Sequence, residues 1–91
     1  MKFNEFKSMW ESDGFELVKH DEIKKEPLKW LLYAAYSDDR REDYGRHLGI
    51  TLALRGDEIV SHAMWNLQDS INPTRQLMEW FRRTVDAGIA E

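Results

Sequence analysis

The sequence predicts an α+β fold: a small antiparallel sheet, built from a hairpin over 48–65 and a short strand over 15–18, packed with three helices over 4–13, 27–36 and 73–87. Three observations carry that expectation. First, Leu48, Ile50, Leu52 and Leu54 are large, while Gly49, Thr51 and Ala53 between them are small. Strand side chains alternate between faces, so this run has one greasy face and one nearly bare one. Second, Arg55-Gly56-Asp57-Glu58 follows, with Gly56-Asp57 suited to a two-residue hairpin turn and a second apolar run behind it. Third, Leu28, Leu31, Leu32, Ala35 and Tyr36 recur at i, i+3, i+4, i+7 and i+8, the stripe of an amphipathic helix.

The elements follow in order. Asn4 can cap the first helix through its side chain, and Phe6, Met9 and Trp10 come at helical spacing. Gly14 suits the left-handed residue that ends a helix, with Phe15 folding back onto Trp10. Phe15-Glu16-Leu17-Val18 alternates as a strand whose expected partner is the hairpin edge. A charged connector over 19–26 leads to Pro27, placed in the first turn of the second helix. The segment 37–47 is mostly charged and reads as a loop or a helical turn capped by Ser37. In the hairpin, the turn places Arg55 opposite Glu58, Leu54 opposite Ile59, Leu52 opposite Ser61 and Leu48 opposite Trp65. After a polar connector over 66–71, Asn72-Pro73 starts the third helix, with Leu77, Met78, Phe81, Thr84 and Val85 on one face and Gly88 closing it.

An alternative all-α bundle competes with this reading. Val, Ile and Thr total only 11 of 91 residues, few for a sheet protein. Asp57 could instead cap a helix containing Ile59, Val60, Ala63, Met64 and Leu67.

A chain of 91 residues with no linker rich in Pro, Gly or Ser reads as a single domain, 1–91. At 42% hydrophobic residues, with four Trp, four Phe and three Tyr, it has material for a core. The net charge is −4, divided as −3 over the first 45 residues and −1 over the rest. Neither part has the basic footprint of a nucleic-acid binder or of a polybasic membrane anchor. No apolar run is long enough to span a bilayer, and the first residues lack the apolar run of a signal peptide. Without cysteines there are no disulfides, thiolate nucleophiles or Cys-ligated metals. A cytoplasmic location is the expectation.

The chemistry-bearing residues form no recognisable catalytic set, and no cofactor is expected. His20, His47 and His62 make no H-E-x-x-H motif. Asp43 and His47 are four apart, read as a solvated pair rather than as metal ligands, and no metal site is expected. No Ser stands in a G-x-S-x-G elbow, and no Gly-rich phosphate loop occurs. Asp38, Asp39, Glu42 and Asp43 cluster around Arg40 and Arg41, which gives the acids similar solvated environments rather than the unlike ones a catalytic pair needs. The Arg55-Gly56-Asp57 tripeptide is read as a turn. A helix-turn-helix reading of 57–64 fails because its leading end would carry two acids toward phosphate.

The segment Ala53-Leu54-Arg55-Gly56-Asp57-Glu58-Ile59-Val60 resembles the hairpins of the GNAT superfamily of small acetyltransferases. That family continues into a strand and an Arg/Gln-x-x-Gly-x-Gly/Ala pyrophosphate loop, whereas Asn66-Leu67-Gln68-Asp69-Ser70-Ile71 contains none. The resemblance implies, as the alternative function, a small ligand-binding or acyltransferase-like domain with Tyr44 and a pocket near His62.

The favoured expectation is a small non-catalytic protein that acts by binding another protein, as an accessory factor, subunit or inhibitor, a type found on phages and mobile elements. The aromatic surplus carries it, because aromatics and Arg are enriched at the energetic centres of interfaces. The expected contact set is Trp30, Tyr33, Arg40, Arg41, Tyr44 and Arg46, with the aromatics partly exposed. Self-association into a homo-oligomer is a further possibility on the same grounds.

Overall fold

The computed structural model describes residues 1–37, 47–66 and 72–88. Its element order is α1 (Phe3–Ser12), β1 (Phe15–Lys25), β2 (Leu28–Ser37), β3 (His47–Arg55), β4 (Glu58–Asn66) and α2 (Pro73–Ala87). The strands form one antiparallel sheet in the order β1-β2-β3-β4. The fold is thus α+β with two described helices, and the all-α alternative is set aside.

The sheet is covered on both faces. Phe3, Phe6 and Trp10 of α1 pack on Leu31, Tyr33, Ala35, Ile50, Leu52 and Leu54. Leu77, Phe81 and Val85 of α2 pack on Trp30, Leu32, Ala34 and Ala53 from the other side. Leu32, Ile50, Leu52 and Phe81 are fully buried. Each buried side chain of this size contributes about 1.5–3 kcal/mol relative to exposure.

This two-sided cover explains the largest correction. The expected helix over 27–36 is strand β2. Leu28-Lys29-Trp30-Leu31-Leu32-Tyr33-Ala34-Ala35-Tyr36 is apolar at every position but one. Such a run contains the helical spacing along with every other. A central strand covered on both faces needs that composition, and β2 is buried from Trp30 through Ala35. Pro27 lies in the turn before it, after a cis Glu26–Pro27 bond, and not in a helix.

The strand expected over 15–18 runs on to Lys25, and its partner is β2 rather than the hairpin. His20 is an extra residue between Lys19, opposite Tyr33, and Asp21, opposite Leu32. The charged segment read as a connector is therefore an edge strand, where solvated charges are tolerated.

The hairpin stands, with Gly56 at φ +65° and both turn-flanking pairs, Arg55–Glu58 and Leu54–Ile59, as expected. Beyond them the register differs by one. Val60 is an extra residue, so Ala53 faces Ser61, Leu52 faces His62, Ile50 faces Met64 and Leu48 faces Asn66. A bulge of this kind leaves no mark in the spacing of apolar residues on the opposite strand.

The α2 helix spans the expected residues. Asn72 Oδ1 accepts from the Arg75 N–H at 3.2 Å, and Pro73 opens the helix. In α1 the cap position is Lys2, without a side-chain bond, so Asn4 is not the cap. Gly14 has φ +89°, and Phe15 meets Trp10 edge-on at 4.9 Å between ring centroids, as expected.

Candidate functional site

Among the described residues the sheet has two outer strands, and they are built differently. β1 carries Glu16, Lys19, Asp21, Glu22, Lys24 and Lys25 within its length. Lys19 Nζ and Glu22 Oε1 meet at 2.7 Å. That hydrogen bond is the main cause of a Glu22 carboxyl below the usual range and a Lys19 ammonium above it. β4 carries no charged residue from Ile59 to its end.

The path of α1 decides which part of β4 is open. The chain enters beside the hairpin turn, where the Phe3 N–H donates to the Asp57 carbonyl and the Ile59 N–H donates to the Met1 carbonyl, both at 2.9 Å. Lys2 and Glu58 form a bridge there. The helix then crosses the sheet diagonally and turns at Gly14 into β1, which pairs Phe15 with Ser37 at the opposite end. The far half of β4 is left outside that diagonal.

Directly opposite residues in antiparallel strands share a face. His62 and Met64, opposite Leu52 and Ile50, therefore lie on the α1 face. Their partners are fully buried, yet His62 is exposed and Met64 is 51% exposed. On the α2 face, Ser61 and Ala63 keep partial exposure, while Trp65 packs on Trp80 at 5.6 Å between ring centroids.

Open grooves lie near these elements. One of about 380 Å³ is lined by Ile59, Val60, Ser61 and His62, where the bulge kinks β4. Another, of about 370 Å³, is lined by Trp65, Gln76, Glu79, Trp80 and Arg83. A third, of about 420 Å³, lies at the start of β1 beside Glu11 and Tyr36. Among the described residues the His62 groove is lined by two apolar side chains, a serine and the imidazole itself.

Two of the expected contact residues, Trp30 and Tyr33, fall within the described residues. Trp30 is 5% exposed and Tyr33 is 9% exposed, so both are core residues. They also face opposite ways, Trp30 toward α2 and Tyr33 toward α1. Neighbours in a strand must diverge in this way, and no single surface patch holds both. Tyr33 touches Phe3 at 5.7 Å between ring centroids, and burial pushes its hydroxyl pKa up. Arg40, Arg41, Tyr44 and Arg46 lie outside the described residues, as do Asp38, Asp39, Glu42 and Asp43.

Sequence reasoning passed over the open half of β4. The signal was present as an uninterrupted uncharged run over 59–66 in a chain with 33% charged residues. It gains meaning only once the strand is known to be an outer one. Two buried polar atoms lack a partner among the described residues, Thr51 Oγ1 and His20 Nε2. They sit on β3 and β1 with β2 between, so they do not form one site.

Among the described residues, no group of three or more His, Asp or Glu is placed to hold a metal ion, and no helix is long and apolar enough to cross a membrane. No protein-family model matches the chain, and neither a curated protein nor a solved structure matches it.

Proposed function

We propose that this chain is a non-catalytic protein-binding module that docks a partner along the outer side of β4 and the uncovered corner at His62 and Met64. The observation that carries the reading is the uncharged, half-bare outer strand, in a sheet whose other outer strand is heavily charged. Proteins commonly protect outer strands with charge, bulges or cover. β4 has one bulge, at Val60, and a short cover at its start. A strand of this kind accepts a partner strand through its backbone, with exposed side chains such as Met64 supplying apolar contact. Arg40, Arg41, Tyr44 and Arg46 stay in the proposed contact set on the sequence argument alone. Trp30 and Tyr33 leave it because they are core residues.

The test is capture from native lysate with three baits: the wild-type chain, a His62→Lys/Met64→Lys double variant, and Val18→Lys on β1. Both altered positions on β4 are exposed, and Val18 is 37% exposed. Loss of the retained proteins with the β4 variant alone supports the reading. The same set retained by all three baits contradicts it.

A further inference from the structure

We infer that the corner where β1 ends and β2 begins binds a phosphate monoester, held between the Lys24 and Lys29 ammonium groups with its carbon body on Pro27 and Leu54. The site lies apart from β4 and does not depend on the docking edge proposed above.

The path of α1 opens the corner. The helix runs from the hairpin turn to the start of β1, so it leaves two corners of its own face bare. One holds His62 and Met64. The other holds the last residues of β1 and the first of β2. There Lys24 lies directly opposite Lys29, and Lys29 lies opposite Leu54 on its other side. Leu54 packs on the α1 side of the sheet. Directly opposite residues share a face, so both lysines stand on that side too.

The two lysines oppose each other. Like charges directly across a strand pair disfavour the pairing, and among the described residues neither Lys24 nor Lys29 forms an ion pair. The acids around them are engaged elsewhere. Glu22, on the same face of β1, is bonded to Lys19 at 2.7 Å. In the adjoining hairpin turn, Glu58 holds the Met1 ammonium at 2.9 Å and Asp57 lies 4.0 Å from Lys2. The Glu22 carboxyl is kept below its usual range first by the Lys19 hydrogen bond and then, against a desolvation cost, by the charges of Lys19, Lys29 and Lys24. Three lysines thus share that carboxylate, in a chain whose net charge is −4. The remaining two positive charges match a phosphate monoester, which carries about −1.5 to −2 near neutrality.

Shape narrows the ligand further. Between the lysines lies a groove of about 270 Å³, walled by Pro27, Leu28 and Leu54 and bordered by Glu26. Sites that enclose a whole small molecule hold roughly 300–1,000 Å³. This one fits a phosphoryl group and the ring or short chain that carries it. Lysine binds phosphate as a point charge, and the apolar wall takes the carbon body. A carboxylate on the same body would balance only one ammonium. Glu26 forms no ion pair among the described residues, and its charge opposes an anion in the groove.

The test is a titration of the isotope-labelled full chain with phenyl phosphate, followed by the amide signals of Lys24, Lys29 and Gly56. Saturable shifts are expected at all three. Lys24→Gln and Lys29→Gln should each raise Kd about two- to fivefold, and Glu26→Gln should lower it about twofold. Lys7→Gln on α1 should leave it unchanged. Benzoate, with the same ring and a single charge, should bind more weakly than phenyl phosphate. Circular dichroism should match the wild type throughout, and Lys24 is exposed, so Lys24→Gln keeps the test standing if Lys29→Gln disturbs the fold.

No saturable shift, a Kd that neither lysine variant changes, or benzoate binding equal to that of phenyl phosphate overturns the inference. A short phosphotyrosine peptide separates two sources of the same chemistry. Binding at least as tight as that of phenyl phosphate assigns a phosphorylated protein side chain, and weaker binding assigns a free phosphate ester.

Discussion

β1 and β4 are the two outer strands of the described sheet, yet among the described residues only β1 is protected along its whole length. β1 has charged side chains on both faces and an extra residue, His20, that breaks its regularity midway. β4 has an extra residue near its start, a short backbone cover there, and an uncharged remainder. The sheet itself is not the cause, because both strands hang on the same buried centre. The difference lies in a handful of surface side chains and in where α1 crosses. Where the chain leaves a strand without charge or cover, that strand can pair again.

The largest expected effect comes from loosening the centre that both edges share. Phe81 is fully buried among Trp30, Leu32 and Leu77. Phe81→Ala should lower stability by about 3–5 kcal/mol, read from the urea midpoint. Both edges should then become labile together. A cost below 1 kcal/mol would mean that α2 does not hold the sheet as described.

A smaller effect should follow from making β1 resemble β4. Removing His20 closes the bulge without turning over the rest of the strand, because Lys19 and Asp21 already face consecutive residues of β2. Combined with Glu16→Thr, Lys19→Thr, Glu22→Thr and Lys24→Thr, this deletion should produce concentration-dependent association through β1, seen by light scattering. An unchanged mass, with the circular dichroism of a folded chain, would show that charge and bulge are not what keep β1 unpaired.

The smallest effect concerns the ion pair on β1. The hydrogen bond from Lys19, followed by the nearby charges of Lys19, Lys29 and Lys24, holds the Glu22 carboxyl below its usual range, against a desolvation cost. A depressed folded-state pKa adds stability above the unfolded value, and that stability is lost as pH falls through the folded value. Glu22→Gln should therefore lie slightly below the wild type in urea midpoint near neutrality and converge with it in acid. The gap stays small because both groups are solvated. A gap that widens toward acid would contradict the assignment.

How much was legible in the sequence depended on how each element meets solvent. α2 was readable because one face is buried and the other wet, and because Asn72-Pro73 and Gly88 mark its ends. The β3–β4 turn was readable because Gly56-Asp57 carries its own backbone requirement. β2 was misread because burial on both faces removes the alternation that identifies a strand, and its length of ten residues suits a helix as well. β1 was cut short because its charges belong to an outer strand, and position in a sheet is a property of the whole fold. The same blindness affected the candidate site. Trp30 and Tyr33 looked like surplus aromatics until two helices covered them, whereas the exposure of His62 and Met64 follows only from where α1 crosses the sheet.

The most direct measurement is amide hydrogen exchange along the far half of β4, at His62, Ala63 and Met64. The account predicts fast exchange at His62 and Met64, whose backbone groups face outward, and protection at Ala63, whose N–H faces β3. Protection at His62 and Met64 equal to that at Ala63 would contradict it.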